Sequence, residues 1–333
     1  HMPTEGLPVA QGDIIHLTPG HEESTAKMIH VDHEGLLTDL HVGDRVAFGD
    51  GVVMAEVLDR KPDRLEARIT HGGLLQGRPG VHIPSDRLRI ASPTPEDLHM
   101  LDAFIEEGID MVAISFVRSA HDVRRVGVEP HPRGPLVVAK IETRAAVDNL
   151  DSIIEASGAV MIARGDLGAE MPIEELPHLQ KRILQRCITL GRPAITATQM
   201  LESMVSAPSP TRAEASDIAN AVFDGSSALM LSGESAIGHD PCNAVATMAR
   251  IAARADVEFD YAAWGARVHE IASTMQPHVD DTVTLGMTNA AWRAALETNA
   301  SAIICITHTG FTVRSIARFR PEAKILGFST DPQ

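Results

Sequence analysis

Between Val9 and Pro84 apolar and polar positions alternate in short runs, at residues 13–18, 27–31, 44–48, 52–58 and 64–69. Pro19-Gly20, Gly49-Asp50-Gly51 and Gly72-Gly73 separate them, residue types that close hairpins. The pattern predicts a small all-β unit over residues 8–86. After Pro93 the rhythm becomes apolar run, polar tip, helical stretch. Residues 111–116, 136–141, 159–163, 194–197 and 228–231 read as five parallel strands, apolar almost throughout because both faces are covered. The segments between them read as helices. Residues 172–190 form an amphipathic stretch ended by Gly191, Pro210 and Gly225 bracket a second helix, and Asp240-Pro241 caps a run to Arg254. Strands alternating with helices predict a (β/α) barrel over 87–256, with its active face at the strand C-termini. Beyond Tyr261, helix 288–298, strand 302–306, helix 312–319 and strand 324–328 predict a smaller α/β unit over 257–333.

Composition narrows the classes of function. Of 333 residues 44% are hydrophobic but only 3% aromatic, so the core is aliphatic, as suits a helix-covered parallel sheet. A formal charge of −16 with no Lys/Arg run argues against nucleic acid as a partner, and local basic groups must do any phosphate work. The three cysteines, Cys187, Cys242 and Cys305, are far apart in apolar segments, without zinc spacing, and read as reduced residues of a cytoplasmic protein. No apolar run is long enough to predict a membrane span.

The polar tips are where chemistry is expected. Lys140 and Glu142 flank Ile141 and so point to one side of their strand. Asp166 follows the next strand, and a lysine between two carboxylates makes a hard-cation site of the kind Mg²⁺ prefers. Backbone N–H groups around Gly165 and Asp166, turning into a helix, suit a carboxylate ligand. Thr198 and Ser232 follow the next two strands. Their hydroxyls can position or relay a proton, or simply cap helices. Ser115 and Arg118 after the first strand are open in the same way. His30, Asp32, His33 and Glu34 cluster at a turn without a matching ligand group elsewhere in the β unit. Thr307, Thr309 and Thr312 lie where a strand meets a helix, a place that can cradle a phosphate or form an ordinary capped turn.

Taken in order, these tips resemble the pyruvate kinase family. The likeness is carried by Lys140-Ile141-Glu142, by Met161 to Glu170, by Ile195 to Met204, by Pro210-Thr211-Arg212-Ala213-Glu214 and by Met230-Leu231-Ser232-Gly233-Glu234, with residues 39–51 similar to the lid domain and 307–321 to the regulatory phosphate loop. The resemblance implies an α/β fold: a partial TIM-type barrel with an N-terminal β lid and a truncated C-terminal α/β domain. It also implies roles. Glu142 and Asp166 would hold Mg²⁺ or Mn²⁺, Lys140 would stabilise the phosphoryl group and the enolate, the Ala163, Arg164, Gly165 and Asp166 backbone would bind the substrate carboxylate, and Thr198, supported by Ser232, would serve the enolate carbon. Thr307, Thr309 and Thr312 would hold an effector phosphate. Phosphoenolpyruvate or pyruvate and ADP or ATP become the expected partners, in the cytoplasm.

The chain also departs from the family pattern. The lid-like unit lies almost at the N-terminus, so the first three βα units have no counterpart, and with them go a phosphate-binding arginine and the usual K⁺ ligands. Pro79 and His82 stand where the lid usually has Lys and Asn, and Ser209 replaces a usual Arg. The expected function is therefore phosphoryl transfer from phosphoenolpyruvate to ADP. The alternatives are decarboxylation or carbon–carbon cleavage of another 2-oxo acid at the retained enolate site, and a non-catalytic binding or assembly subunit. Five strands cannot close as eight do, so a homo-oligomer or a partner chain is expected to complete the barrel.

Overall fold

The computed structural model describes residues 1–49, 51–84, 87, 91–131, 133–274 and 279–329. The N-terminal stretch contains β1 (Leu7–Val9), β2 (Ile14–Pro19), β3 (Met28–Val31), α1 (Leu36–Asp39), β4 (Arg45–Phe48), β5 (Val53–Arg60), β6 (Leu65–His71), β7 (Gly73–Leu75) and β8 (Val81–His82). Next come α2 (Pro95–Glu106), β9 (Met111–Ile114), α3 (Ala120–Arg124), β10 (Leu136–Ile141), α4 (Arg144–Asp148), α5 (Leu150–Ala156), β11 (Ala159–Ala163), α6 (Arg164–Glu170) and α7 (Leu176–Thr189). They are followed by β12 (Ala194–Ala197), α8 (Arg212–Phe223), β13 (Ala228–Met230), α9 (Gly233–Ala236), α10 (Pro241–Val257), α11 (Tyr261–Thr274), α12 (Val279–Glu297), β14 (Ala302–Ile306), α13 (Phe311–Ala317) and β15 (Lys324–Phe328). The chain divides into two units, one of His1–Ala91, Glu142–Asp148 and Arg164–Leu176, the other of Ser92–Ile141, Asn149–Ala163 and Pro177–Gln333.

In the first unit six strands form a sheet in the order β3-β2-β6-β5-β4-β8, and β1 pairs with β7 separately. Alternation does what the sequence predicts. Ile15 and Leu17, Val53, Ala55 and Val57, and Leu65, Ala67 and Ile69 are all at most 1% exposed, while the residues between them face outward. Burying each of the larger aliphatics contributes about 1.5–3 kcal/mol. The hairpin reading holds at Gly49 and Gly51, whose φ values of 57° and 84° turn β4 into antiparallel β5; Asp50 lies outside the described residues. It fails at two places. Pro19-Gly20 does not close a hairpin, because β2 gives one edge to antiparallel β6 and takes β3 in parallel on the other, with residues 20–27 carrying the chain back. Gly72-Gly73 leads into β7, which pairs with β1. The β5–β6 turn is instead closed by Lys61 and Arg64, the Lys61 N–H donating to the Arg64 carbonyl at 2.8 Å.

In the second unit five parallel strands lie in the order β13-β12-β11-β10-β9. Each apolar run predicted from the sequence is a strand, the first and last ending a residue or two early. On one face Val138, Ala159, Met161 and Ala197 form a small cluster with Leu136, Ile195 and Met230. Ile141, Val160 and Ile162, of opposite parity, are fully buried. Helix α7 starts at Leu176 rather than Pro172, with Pro177 in its first turn, where a missing N–H costs nothing. Its buried Leu179, Gln180, Ile183, Leu184 and Cys187 keep the 3.6-residue period. Beyond α10, the chain forms α11, which the apolar pattern does not announce, and α12, which begins nine residues before the predicted 288. The parallel pair β14–β15 follows, in register Ile304↔Leu326 and Ile306↔Phe328. Among the described residues no helix is long and apolar enough to cross a membrane.

Candidate functional site

Parity decides what the strand tips present. Continuing β10 along the face that carries Leu136 and Val138 reaches Lys140, and continuing β11 past Ala159 and Met161 reaches Ala163. Lys140 Nζ donates to Ser115 Oγ at 2.9 Å. Ser115 lies one residue past β9, whose Ile114 is in register with Ala139, so the lysine head is held across two neighbouring tips. The Arg118 carbonyl, three residues further on, accepts from Asn149 Nδ2 at 3.0 Å, and its N–H donates to Asp122 Oδ2 at 2.8 Å.

The next two tips are tied by one buried carboxylate, that of Glu234. Thr198 and Gln199, directly after β12, both take positive φ, 66° and 53°, a conformation costly for residues with a Cβ. Such strain concentrates at functional sites. Thr198 Oγ1 donates to the Ala197 carbonyl at 2.7 Å and is not a helix cap. Ser232 stands at the N-cap position of α9 but its side chain makes no capping hydrogen bond. Glu234, fully buried, accepts from the Leu201 N–H at 2.9 Å and the Ser232 N–H at 2.8 Å, and so joins the loops after β12 and β13. Glu214 accepts four bonds, from the N–H and hydroxyl of Ser203 and of Thr211, at 2.6–2.9 Å. Desolvation raises its pKa, but the four bonds together outweigh it and hold the carboxyl below its ordinary 4.5.

Glu142 and Asp166 belong to the first unit. Glu142 directly follows β10 and is fully buried, a position a carboxylate keeps only with compensating charge or hydrogen bonds. Thr143, beside it, caps α4 through its Oγ1, which accepts from the Ala146 N–H at 3.0 Å. Asp166 lies in the first turn of α6, three residues after the end of β11. One turn further, Glu170 Oε2 accepts from the Arg144 N–H at 2.6 Å, Arg144 Nη2 reaches the Glu170 carbonyl at 3.4 Å, and Glu170 Oε1 meets His82 Nε2 at 3.3 Å. The segment carrying Glu142 and the helix carrying Asp166 are thereby fastened together. Among the described residues no group of three or more His, Cys, Asp or Glu is placed to hold a metal. Two carboxylates are nonetheless a sufficient set for Mg²⁺, a hard cation that keeps waters and substrate oxygens in its remaining positions.

The other candidates separate by position. Thr307 and Thr309 lie between β14 and α13, and Thr312 in the first turn of α13. The Thr307 N–H continues the strand pairing to the Phe328 carbonyl at 2.9 Å, and Arg314 Nη1 folds back onto the Thr309 carbonyl at 3.0 Å. In the histidine cluster His33 Nε2 bonds the buried Asp39 at 2.8 Å, while His30 faces Glu22 at 3.5 Å. About 370 Å³ of open space is lined by Tyr261, Trp292, Arg320 and neighbours, none of them among the predicted site residues. The Arg320 guanidinium there is already engaged, donating to the Val222 and Ser226 carbonyls and packing on Phe259 and Trp264.

Glu170 and Glu234 are the residues sequence reasoning passed over. Both stand inside quoted motifs, but their partners are 26 and 33 residues away. Glu214 was signalled locally, by the Thr-x-x-Glu capping box that opens α8.

Comparison with known proteins follows the same landmarks. A family model described as Pyruvate kinase, barrel domain matches residues 4–245, and one described as Pyruvate kinase, alpha/beta domain matches 286–333. A Bacillus licheniformis protein named "Pyruvate kinase" is 37% identical over 99% of this chain and 56% of its own length. Its namesake in Geobacillus stearothermophilus is 36% identical over 99% and 56%, and that of Clostridium acetobutylicum 41% identical over 89% and 62%. The chain thus spans little more than half the length of these curated relatives.

Proposed function

The chain belongs to the pyruvate kinase family, and from that premise we propose that it acts as a pyruvate kinase-like phosphotransferase. The bond between phosphorus and the enol oxygen of phosphoenolpyruvate breaks, a terminal oxygen of ADP takes the phosphoryl group, and the enolate left behind gains a proton on carbon to become pyruvate. One observation carries the reading. Lys140 is held by Ser115 at the β9–β10 tips, and the chain delivers two carboxylates, Glu142 and Asp166, within three residues of the ends of β10 and β11.

Phosphoryl transfer needs positioning and charge neutralisation more than covalent help from the protein. Lys140 provides a fixed cation for charge that develops on the phosphoryl oxygens and then on the enolate. The Ser115 bond limits the rotamers of its long side chain, so less freedom is lost when substrate arrives. The N–H groups of Gly165 and Asp166, in the first turn of α6, would donate to the substrate carboxylate. Thr198, in its left-handed tip, would present its hydroxyl to the enolate carbon, with Ser232 supporting it through water. Mg²⁺ or Mn²⁺ held by Glu142 and Asp166 would neutralise the carboxylate and enolate oxygens.

The test is a coupled assay with phosphoenolpyruvate, ADP and Mg²⁺, beside oxaloacetate decarboxylation on the same sample. Phosphoryl transfer abolished by Lys140→Met supports the proposal. Decarboxylation without transfer would replace it with the lyase reading, and neither activity would leave a binding subunit.

A further inference from the structure

Holding two carboxylates at a fixed separation is a mechanical problem, since their repulsion drives them apart whenever a cation is not between them. Glu142 and Asp166 sit on different segments, the first before α4 and the second inside α6. What fixes one against the other must bridge those segments. Glu170 does so. It ends α6, one turn after Asp166, and its Oε2 accepts the Arg144 N–H at 2.6 Å, two residues after Glu142. A second bond, from Arg144 Nη2 to the Glu170 carbonyl, spans the same gap. The Glu170 side chain is only 6% exposed, while its partner Arg144 is an exposed residue. The Arg144 N–H is itself the first of α4, one of the donors a helix start leaves without an intrahelical partner. Its other oxygen lies 3.3 Å from Nε2 of His82, at the end of β8.

The geometry points to Glu170 as a positioning residue that sets the spacing of the two metal-binding carboxylates through the Arg144 backbone. This rests on the metal role proposed above for Glu142 and Asp166. Glu170 itself is not a ligand. Outer partners that orient metal ligands typically change affinity by about 10- to 100-fold when removed.

The experiment is a calorimetric Mn²⁺ titration of the full chain, without substrate, for the parent, Glu170→Ala, Glu170→Gln, His82→Ala and Asp166→Asn, with melting temperatures recorded alongside. Glu170→Ala should weaken Mn²⁺ binding about 10- to 100-fold at temperatures well below its melting point. Glu170→Gln should recover most of the affinity, because its amide oxygen still accepts from the Arg144 N–H, and His82→Ala should stay nearer the parent than Glu170→Ala. Should Glu170→Ala not fold, Glu170→Asp keeps the charge but draws the oxygen back by a methylene and carries the same test. A Glu170→Ala or Glu170→Asp protein that melts lower yet binds Mn²⁺ like the parent overturns the inference and makes Glu170 structural only. So does failure of Gln to rescue together with an equal loss in His82→Ala, which would assign the effect to β8. The Asp166→Asn arm separates the two levels: if it too binds like the parent, or the parent binds no Mn²⁺, the metal reading falls and the positioning role with it.

Discussion

Replacing Glu214 by alanine should loosen the loop that follows the Thr198 tip, in a way that acid erases. Four donors converge on this carboxylate, the N–H and hydroxyl of Ser203 and of Thr211, at 2.7, 2.6, 2.7 and 2.9 Å. A hydrogen bond to a charged group contributes about 1.5–3 kcal/mol. The four are not additive, and Glu214 is only half-buried, so water screens the charge and rehydrates the freed donors. Loss of the capping box at α8 alone costs about 1 kcal/mol. Together these give an expected cost of about 2–4 kcal/mol for Glu214→Ala at neutral pH. The pH dependence follows from the direction of the shift. The folded carboxyl titrates below 4.5, so the parent's advantage is fully present above that value and disappears as pH falls through the lower folded value. Urea unfolding of parent and variant from pH 7 to pH 3 measures the gap. A gap that is constant across this range, or widens towards acid, would refute the argument that ionised Glu214 anchors the loop.

Three further expectations concern the tip chemistry and the exposed surfaces. Thr198→Val should slow exchange of the pyruvate methyl protons with solvent more than it slows phosphoryl transfer, and equal exchange in both proteins would remove Thr198 from the proton path. The buried Cys187 thiol, pushed up to about 12 by burial, should resist a maleimide in the native protein while exposed Cys242 reacts, and equal rates would contradict the packing of α7. The outer strands β9 and β13 carry exposed apolar residues, Met111 at 60% together with Ala113 and Ala228, so a second copy or a partner chain is expected to cover them. Light scattering reads this, and a well-behaved monomer with full kinase turnover would contradict it.

How much of this was legible in the chain depends on how local each signal is. Strands β10, β11 and β12 match their predicted bounds to the residue, because a continuous apolar run flanked by turn residues is a local signal. Parity along β10 then places Lys140 on the face of Val138 without reference to any other strand. Strand β8, two residues long, has no periodicity to detect, and the parallel β2–β3 pair was misread because glycine marks a turn but not where the chain goes afterwards. The start of α12 was missed because residues 279–287 carry two adjacent aspartates and little apolar periodicity. Glu170 and Glu234 were visible as letters of a motif, yet their work lies in bonds to Arg144, Leu201 and Ser232 that only the folded chain creates. The strain at Thr198 and Gln199 is equally invisible in sequence, since neither is a residue type that favours positive φ.

The central claim of the proposal is that Lys140 stabilises an enolate. The most direct measurement is solvent-proton exchange at the methyl group of pyruvate, followed by NMR in deuterated buffer with Mg²⁺, for the parent and Lys140→Met, because it reads enolate formation without requiring phosphoryl transfer. The account predicts Mg²⁺-dependent exchange in the parent and its loss in a Lys140→Met protein that unfolds at the same temperature. No exchange above the uncatalysed rate in the parent, or exchange that survives in Lys140→Met, would contradict it.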